Sequence, residues 1–273
     1  MIDLHCHILP GLDDGASDLE AALAMARIAS ADGIKAIACT PHLVPGVYNN
    51  TGPVIRAAVE RLQDDIAKTG IALRLTFGAD IHIAPGLVGQ LRSGQALSLN
   101  GTRYFLFEPT HHIAPPRMED QVFGLLAAGY VPILTHPERL TWIENHYATV
   151  KRLARSGVLM QLTAGSLTGR FGSRPRYWAE RILDEGLCHI VATDAHDPRR
   201  RPPHLAEARD VVARRFGDEE ALNTVLTRPL GILNNVAPGE LPALPEPLAR
   251  DDKPHKRSLW GDLLTRFAAA GGR

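Results

Sequence analysis

Seven short apolar segments alternate with longer amphipathic segments along this chain of 273 residues, and this alternation restricts the possible folds more than any other feature. The apolar segments lack the polar–apolar alternation of half-exposed strands, so they predict parallel strands that helices cover. This number of strand–helix units favours an α/β fold, namely a distorted (β/α)7 TIM-like barrel, over the alternative of an open doubly wound sheet. The predicted strands span residues 2–7, 34–40, 72–81, 104–108, 131–136, 158–163 and 189–193.

The composition changes after residue 236, where a barrel domain of residues 1–236 is predicted to end. Proline and charged residues are concentrated in residues 237–257, which predicts an exposed linker. Residues 258–270 then carry apolar side chains at helical spacing. Residues 237–273 are therefore predicted to form a Pro-rich linker and a short C-terminal amphipathic helix, which docks either on the barrel or on a partner.

Charge and cysteine content argue against several classes of protein. The 30 basic and 30 acidic residues balance, whereas proteins that bind nucleic acid or anionic membranes usually have a basic surface. No apolar run approaches the roughly 18 residues of a membrane-spanning helix. Three cysteines do not form a disulfide framework. We therefore expect a cytoplasmic protein with no nucleic-acid partner and no membrane span.

Histidines and carboxylates recur where the predicted strands end. Two histidines lie two residues apart in the first strand and would project from the same face, and an Asp and a His repeat this spacing late in the chain. In a barrel, the carboxyl ends of the strands meet on the face where active sites lie. Any one of these residues alone is more often structural, but together they predict a metal centre. The candidate ligands are His5, His7, His42, Asp80, Glu108, His136, Asp194 and His196.

The candidate ligands offer only nitrogen and oxygen atoms. The three cysteines lie in apolar segments and are interpreted as buried side chains. A set of imidazoles and carboxylates suits Mn²⁺, Fe or Zn. Several carboxylates close together would repel one another without cations, which favours two or three divalent ions over one.

Two arginines follow candidate ligands closely in the sequence. Arg139 follows His136 in Thr-His-Pro-Glu-Arg, and Arg201 lies in Asp-Pro-Arg-Arg-Arg-Pro-Pro-His. A guanidinium can bind phosphate through two hydrogen bonds, so these arginines predict a phosphate site at which metal-activated water attacks phosphorus. Arg199 and Arg200 are interpreted as members of surface ion pairs. The motifs of cysteine phosphatases, P-loop proteins and serine hydrolases are absent.

Five motifs stand out: Met-Ile-Asp-Leu-His-Cys-His at residues 1–7, Asp13-Asp14-Gly15, Thr40-Pro41-His42, Thr135-His136-Pro137-Glu138-Arg139 and Thr193-Asp194-Ala195-His196. They resemble the PHP (polymerase and histidinol phosphatase) superfamily, and within it the bacterial CpsB/CapC-like manganese-dependent protein-tyrosine phosphatases. The His-x-His opening is shared across the superfamily, whereas the Asp-Asp-Gly turn is more specific to this branch. The resemblance covers residues 1 to about 235.

The resemblance implies a distorted seven-stranded barrel that holds three metal ions. One ion would be held by His5, His7, Asp80 and Asp194, a second by Asp80, Glu108 and His136, and a third by Asp14, His42 and His196. Asp14 enters only through the resemblance, since its position by itself indicates a turn. Arg139 and Arg201 match arginines with which the family binds phosphate.

The resemblance also implies an activity. The chain would be a metal-dependent phosphomonoesterase, most specifically a Mn²⁺-dependent protein-tyrosine phosphatase. Its substrate would be a phosphotyrosine protein, in particular a membrane-associated bacterial tyrosine kinase of capsule or exopolysaccharide biosynthesis. The general acid is open between water and a nearby histidine such as His111.

Two alternatives to this activity stay open. Small-molecule phosphatases such as histidinol-phosphate phosphatase share the superfamily ligands. The family usually has Glu where this chain has Asp80, which is one methylene shorter and is expected to bridge two ions. This departure leaves open a non-catalytic regulator that binds the kinase.

Overall fold

The computed structural model describes residues 1–248, and the helix predicted at residues 258–270 lies outside them. The strands are β1 (Ile2–Cys6), β2 (Ala36–Cys39), β3 (His42–Leu43), β4 (Arg74–Phe77), β5 (Asp80–His82), β6 (Tyr104–Glu108), β7 (Val131–Thr135), β8 (Leu159–Thr163) and β9 (Ile190–Ala192). The helices are α1 (Leu19–Ala31), α2 (Gly52–Thr69), α3 (Leu87–Ser93), α4 (Met118–Ala127), α5 (Ile143–Arg155), α6 (Ala164–Leu167), α7 (Ser173–Asp184), α8 (Ala206–Leu222) and α9 (Arg228–Leu233). Within residues 1–248, no helix combines the length and apolar character needed to cross a bilayer.

The strands pair in parallel, in the orders β1-β2-β4 and β3-β5-β6-β7-β8-β9. Two strand positions are each interrupted once, between β2 and β3 at Pro41 and between β4 and β5 at Gly78. The Gly78 N–H still donates to the Cys39 carbonyl at 2.9 Å, so the pairing continues past the break. A bridge between Cys6 and Ala195 joins the first strand position to the last. The sheet is therefore a closed barrel with seven strand positions, which confirms the predicted barrel rather than the open sheet.

Inward-facing and outward-facing side chains alternate along the strands and form separate apolar layers. On β6, Tyr104 and Leu106 face the barrel interior, while Phe105 and Phe107 pack beneath the helices. The same alternation places Glu108 on the interior side at the carboxyl end of the strand. The barrel is therefore apolar at its base and polar at the end where the candidate ligands lie.

An irregularity in β1 turns His5, and His7 just after the strand, toward the interior. Leu4 belongs to the interior layer, so a regular strand would turn His5 outward. The pairing with β2 shifts register before Cys6, and this β-bulge places Cys6 in the outer layer. His5 and His7 then face each other across 3.0 Å inside the barrel. The prediction that the two histidines share a face opposite Cys6 is confirmed.

A buried arginine holds residues 242 and 243 against the base of the barrel. Arg228, 1% exposed, pairs with Glu220 through contacts of 2.7 and 2.9 Å. It also donates to the carbonyls of Pro242 at 2.9 Å and Ala243 at 2.6 Å. The domain boundary at residue 236 stays a prediction, but residues 242 and 243 are bonded to the barrel.

Candidate metal centre

The candidate ligands and both arginines meet at the carboxyl end of the barrel, around an open pocket of about 300 Å³. The loops after the strands supply most of its wall. The predicted site residues that line it are Asp14, His42, Glu108, His136, Arg139, Asp194, His196 and Arg201. The remaining three, His5, His7 and Asp80, are fully buried and contact this group from below.

The first predicted set brings four ligand atoms together at the bottom of the pocket. The Nε2 atoms of His5 and His7 lie 3.0 Å apart, and Asp194 Oδ1 lies 3.4 and 3.5 Å from them. Asp80 Oδ2 lies 3.5 Å from His5 Nε2. Most of these distances exceed those of good hydrogen bonds. They match the separations of about 3.0–3.5 Å expected for atoms that each lie about 2.1 Å from one shared metal ion.

Hydrogen bonds on the far side of each ring orient these two histidines. His5 Nδ1 donates to Gln161 Oε1 at 2.7 Å, and His7 Nδ1 donates to Asp13 Oδ2 at 2.6 Å. In the neutral imidazoles both Nε2 atoms are therefore unprotonated acceptors, and they face each other and two carboxylates. Such a group requires cations, either protons or metal ions, to neutralise it.

The second predicted set lies next to the first around the barrel. Glu108 Oε1 lies 3.4 Å from His136 Nε2. Asp80 Oδ2 and Glu108 Oε2 each lie 3.4 Å from His42 Nδ1. Asp80 therefore lies between His5 of the first set and His42, which also contacts Glu108 of the second set. The resemblance implies a carboxylate shared by two ions at this position. The structure also brings His42 to this set, where the sequence did not place it.

The third predicted set lies at the rim of the pocket. Asp14 Oδ1 lies 3.5 Å from the Nε2 atoms of both His42 and His196. His7 completes a group of four whose ligand atoms all lie within 4.8 Å of one another. Asp14 is half exposed, unlike the histidines. The structure thus brings Asp14 into the site, and its role as a ligand stays a prediction.

The turn that carries Asp14 packs directly on the histidine strand. A Cβ atom at Gly15 would lie 2.1 Å from the His7 carbonyl oxygen, so no other residue fits there. Asp13 Oδ1 accepts from the Gly15 N–H at 2.9 Å, and its Oδ2 accepts from the His42 N–H at 2.8 Å as well as from His7. Sequence reasoning missed Asp13, which positions two candidate ligands.

Asp80 shows most clearly that the donor set fits metal ions. Its side chain is fully buried, yet neither carboxylate oxygen accepts a hydrogen bond from any residue in 1–248. A buried carboxylate without donors is strongly unfavourable unless a cation compensates it. The neighbouring His42 Nδ1 is likewise buried without a hydrogen-bond partner in this part of the chain. Divalent ions would satisfy both groups.

The negative charge of the cluster raises the pKa values of two of its histidines, His7 and His42. Burial alone would lower the pKa of His7, but hydrogen bonds to carboxylates, Asp13 foremost, raise it to about 9. Burial would also lower the pKa of His42, but the carboxylates of Asp80 and Glu108 raise it to about 11. The carboxylates therefore attract protons onto these two imidazoles, where protons compete with metal ions for the same nitrogen atoms.

Two site residues adopt the left-handed backbone conformation that favours glycine. The φ angle is 35° at His136 and 50° at Asp194. The Asp194 N–H donates to the His5 carbonyl at 2.8 Å, and the Arg139 N–H donates to the His136 carbonyl at 2.9 Å, which holds both turns in place. Strain of this kind costs about 1–3 kcal/mol per residue and is concentrated at functional sites.

Arg139 and Arg201 bind the same carboxylate oxygen. Arg201 Nη2 donates to Asp194 Oδ2 at 2.6 Å and to the Asp194 carbonyl at 2.9 Å, and Arg139 Nη1 donates to the same Oδ2. Both arginines line the pocket, so further N–H groups are available to an anion there. Within residues 1–248, Arg199 and Arg200 form no ion pair, and their backbone N–H groups donate to Asp197 Oδ1, so the surface ion pairs expected for them stay a prediction.

Sequence reasoning underestimated two histidines of the pocket. His82 Nε2 lies 2.8 Å from Glu108 Oε2, and His111 Nε2 lies 3.1 Å from Glu108 Oε1. Both side chains line the pocket. The spacing could have indicated His82, because Asp80 and His82 repeat on β5 the two-residue interval of the first strand.

Residues 1–234 match a family model described as capsular polysaccharide synthesis, CpsB/CapC. The tyrosine-protein phosphatase YwqE of Bacillus subtilis (strain 168) is 40% identical over 221 residues, which are 80% of this chain and 86% of that protein. The putative tyrosine-protein phosphatase CapC of Staphylococcus aureus is 31% identical over 204 residues, which are 74% of this chain and 79% of that protein.

A solved structure has the same fold. It comes from work on YwqE from Bacillus subtilis and CpsB from Streptococcus pneumoniae, described as unique metal-dependent tyrosine phosphatases. The match has a TM-score of 0.85 at 35% identity and covers 92% of this chain and 100% of the other. The similarity therefore extends through the whole barrel that positions the candidate ligands.

Proposed function

The chain belongs to the CpsB/CapC family of capsular polysaccharide synthesis, and from this premise we propose that it is a metal-dependent protein-tyrosine phosphatase. The named relatives are tyrosine-protein phosphatases, and the similar solved structure is described as metal-dependent. The proposal rests on one observation. Beneath a pocket that two arginines line, acceptor atoms lie close together on four side chains, those of His5, His7, Asp80 and Asp194. Acceptors at that spacing fit divalent cations, and the arginines fit phosphate.

We propose the three sets of side chains named above as the ligands of two or three divalent ions. Mn²⁺ is the proposed metal, with Fe or Zn as alternatives, because the set offers only imidazole and carboxylate groups. All three cysteines are buried and free, and none belongs to the clusters of candidate ligands in the described chain. When bound, such ions would polarise phosphoryl oxygens and lower the pKa of water.

Arg139 and Arg201 are proposed to bind the phosphoryl group of the substrate. Each guanidinium already donates to Asp194 Oδ2, which limits its freedom and leaves other N–H groups toward the pocket. Two fixed positive charges offset the charge of a phosphate dianion among the carboxylates of the site. The arginines would thus orient the phosphorus above the buried ligands.

The leaving group of phosphotyrosine needs little protonation by the protein. Tyrosine has a pKa of about 10, so tyrosinate leaves without a strong general acid. His111 lines the pocket, is partly exposed and lies 3.1 Å from Glu108 Oε1, so it is the side chain that we propose to hold a proton there. Water is the alternative donor.

We propose that the substrate is phosphotyrosine on a membrane-associated bacterial tyrosine kinase of capsule or exopolysaccharide synthesis, and that the protein acts in the cytoplasm. The description of the family supports the first proposal. The open pocket supports it too, since it leaves the phosphate site accessible to a side chain on another protein.

A substrate panel tests the activity. Full-length protein with measured Mn²⁺ content is assayed on a phosphotyrosine peptide, on histidinol phosphate and on a phosphate diester, with Asp194→Asn as the control. We expect the peptide to be hydrolysed fastest and the control to lose at least about 100-fold in kcat/KM. Faster turnover of histidinol phosphate would favour a small-molecule phosphatase, and no turnover of any substrate by metal-loaded protein would favour a regulator.

A further inference from the structure

An aromatic ring lies beside both arginines of the pocket. The ring of Phe171 belongs to the loop between α6 and α7, and its centroid lies 5.0 Å from Arg139 Cζ and 5.8 Å from Arg201 Cζ. Both distances are within the range of about 6 Å in which a guanidinium is attracted to an aromatic ring. The two arginines follow different strands, β7 and β9, so this ring is a contact that they share.

The position of the Phe171 ring is itself fixed by a glycine. A Cβ atom at Gly165 would lie 2.9, 3.0 and 3.2 Å from three carbon atoms of the ring, so the ring packs where another residue would place its side chain. The Phe171 N–H also donates to the Gly165 carbonyl at 3.3 Å. Gly165 follows β8 by two residues, so the ring is anchored to the rigid barrel rather than to the loop alone.

Each guanidinium is therefore held by two groups. Asp194 Oδ2 accepts hydrogen bonds from both arginines, and the ring of Phe171 contacts both. Asp194 is itself a proposed metal ligand, so its position depends on the ions. Phe171 carries no charge, offers no metal-ligating atom and is not among the residues that line the pocket, so its contact with the arginines does not require a metal ion.

We propose that Phe171 is a positioning residue that holds Arg139 and Arg201 in the orientation that binds the phosphoryl group. This inference rests on the proposed function, because it assumes that these arginines bind phosphate. If the two arginine side chains are already ordered before the substrate arrives, binding loses less side-chain entropy. A role in packing alone would instead be filled by any apolar side chain of similar size.

The test is binding of inorganic phosphate to the full-length, Mn²⁺-loaded protein, measured by calorimetry and as competitive inhibition of peptide hydrolysis. Phe171→Leu removes the aromatic face and keeps an apolar side chain, whereas Phe171→Tyr keeps the ring. Phe123→Leu makes the same change at a phenylalanine of α4 that is 72% exposed and serves as the matched control. Metal content and Tm are measured for each variant.

We expect Phe171→Leu to weaken phosphate binding roughly three- to tenfold, with a matching rise in KM, little change in kcat and unchanged metal content. Phe171→Tyr should remain within about twofold of the original protein. In an Arg139→Ala/Arg201→Ala background, Phe171→Leu should have no further effect. Unchanged phosphate affinity in Phe171→Leu, or an equal loss in the background without the arginines, would overturn the inference.

The two proposals fail in different ways. If the metal-loaded protein leaves phosphotyrosine peptide intact, the proposed activity fails, and calorimetry still measures whether Phe171 affects phosphate binding. If the peptide is hydrolysed and Phe171→Leu binds phosphate as the original protein does, only the inference about Phe171 fails.

Discussion

Asp80 is the residue on which the metal proposal depends most, since its buried oxygens have no donor among residues 1–248. Asp80→Asn keeps the shape of the side chain and removes its charge. We expect this variant to lose at least one metal ion per chain and about 100-fold or more in kcat/KM, because it lacks the carboxylate proposed to be shared by two ions. Elemental analysis of the purified protein and steady-state kinetics measure both effects.

Asp80→Glu is the informative control for that experiment, because the family resemblance implies Glu at this position. It keeps the charge and should keep the metal content, although the extra methylene in a packed site is expected to cost about 1–3 kcal/mol of stability. Full metal content in Asp80→Asn would contradict the proposed role. A metal-poor, inactive original protein that Asp80→Glu rescues would favour the non-catalytic regulator.

A substitution at Arg201 tests the binding of phosphate separately from the binding of metal ions. Arg201→Lys keeps a positive charge and loses the planar arrangement of donors that reaches Asp194 Oδ2 and its carbonyl together. We expect kcat/KM for a phosphotyrosine peptide to fall roughly 10- to 100-fold at unchanged metal content. Arg199→Lys, at an exposed arginine without an ion pair in the described chain, should change kcat/KM less than twofold. Equal effects of the two substitutions would contradict the role given to Arg201.

Much of the residue-scale picture could be predicted because strand geometry is periodic. Two-residue spacing is enough to place His5 and His7 on one face, and the strand ends are enough to bring Glu108 and His136 together. The contacts of Gln161 and Asp13 with these histidines could not be predicted, because they join residues whose proximity depends on the complete barrel.

At the scale of elements, the buried pair at the base of the barrel makes a strong prediction. Arg228→Met leaves Glu220 buried without its partner, which typically costs about 3–5 kcal/mol in the free energy of unfolding. Arg152→Met breaks an exposed pair with Glu119 of similar geometry and should cost less than about 1 kcal/mol. Urea unfolding at fixed metal content compares them. Similar decreases in the free energy of unfolding for the two variants would contradict the prediction that burial makes the Arg228 pair the more costly one to break.

His189, the residue before β9, provides a pH-dependent prediction. Burial, with a smaller effect of Arg228, lowers the pKa of His189 to about 4, against about 6.5 in the unfolded chain. Between these values the unfolded state binds more protons, so His189 makes the protein less stable as the pH falls from 6.5 toward 4. The free energy of unfolding of both proteins is compared at pH 7 and pH 5. In His189→Asn, its decrease between these pH values should be about 1–2 kcal/mol smaller than in the original protein. Parallel curves for the two proteins would contradict this.

The strands and helices could be predicted where they are long enough for their apolar residues to repeat at a regular spacing. The strands and the longer helices repeat their apolar residues several times, whereas α3, α6 and α9 have 7, 4 and 6 residues. Their formation depends on packing rather than on pattern. The break between β2 and β3 follows from Pro41, which has no N–H for the ladder, but the continuation of the pairing beyond it is visible only in the structure.

At the scale of the molecule, the balanced total charge conceals a strongly uneven distribution. The chain has equal numbers of acidic and basic residues, yet its pocket collects carboxylates around five histidines and carries arginines on its wall. The absence of net charge therefore says little about the active face. The family resemblance added Asp14 and the division of the ligands into three sets, neither of which the residues alone could establish.

The proposed activity depends on bound ions, so its most direct test is phosphotyrosine hydrolysis measured as a function of bound Mn²⁺. Chelator-treated full-length protein is titrated with Mn²⁺, and phosphate release from a phosphotyrosine peptide is measured together with bound metal. We predict no release without metal, full activity at two or three ions per chain, and no recovery in Asp194→Asn. Equal rates with and without metal, or no hydrolysis at full occupancy, would contradict metal-dependent phosphotyrosine hydrolysis by this protein.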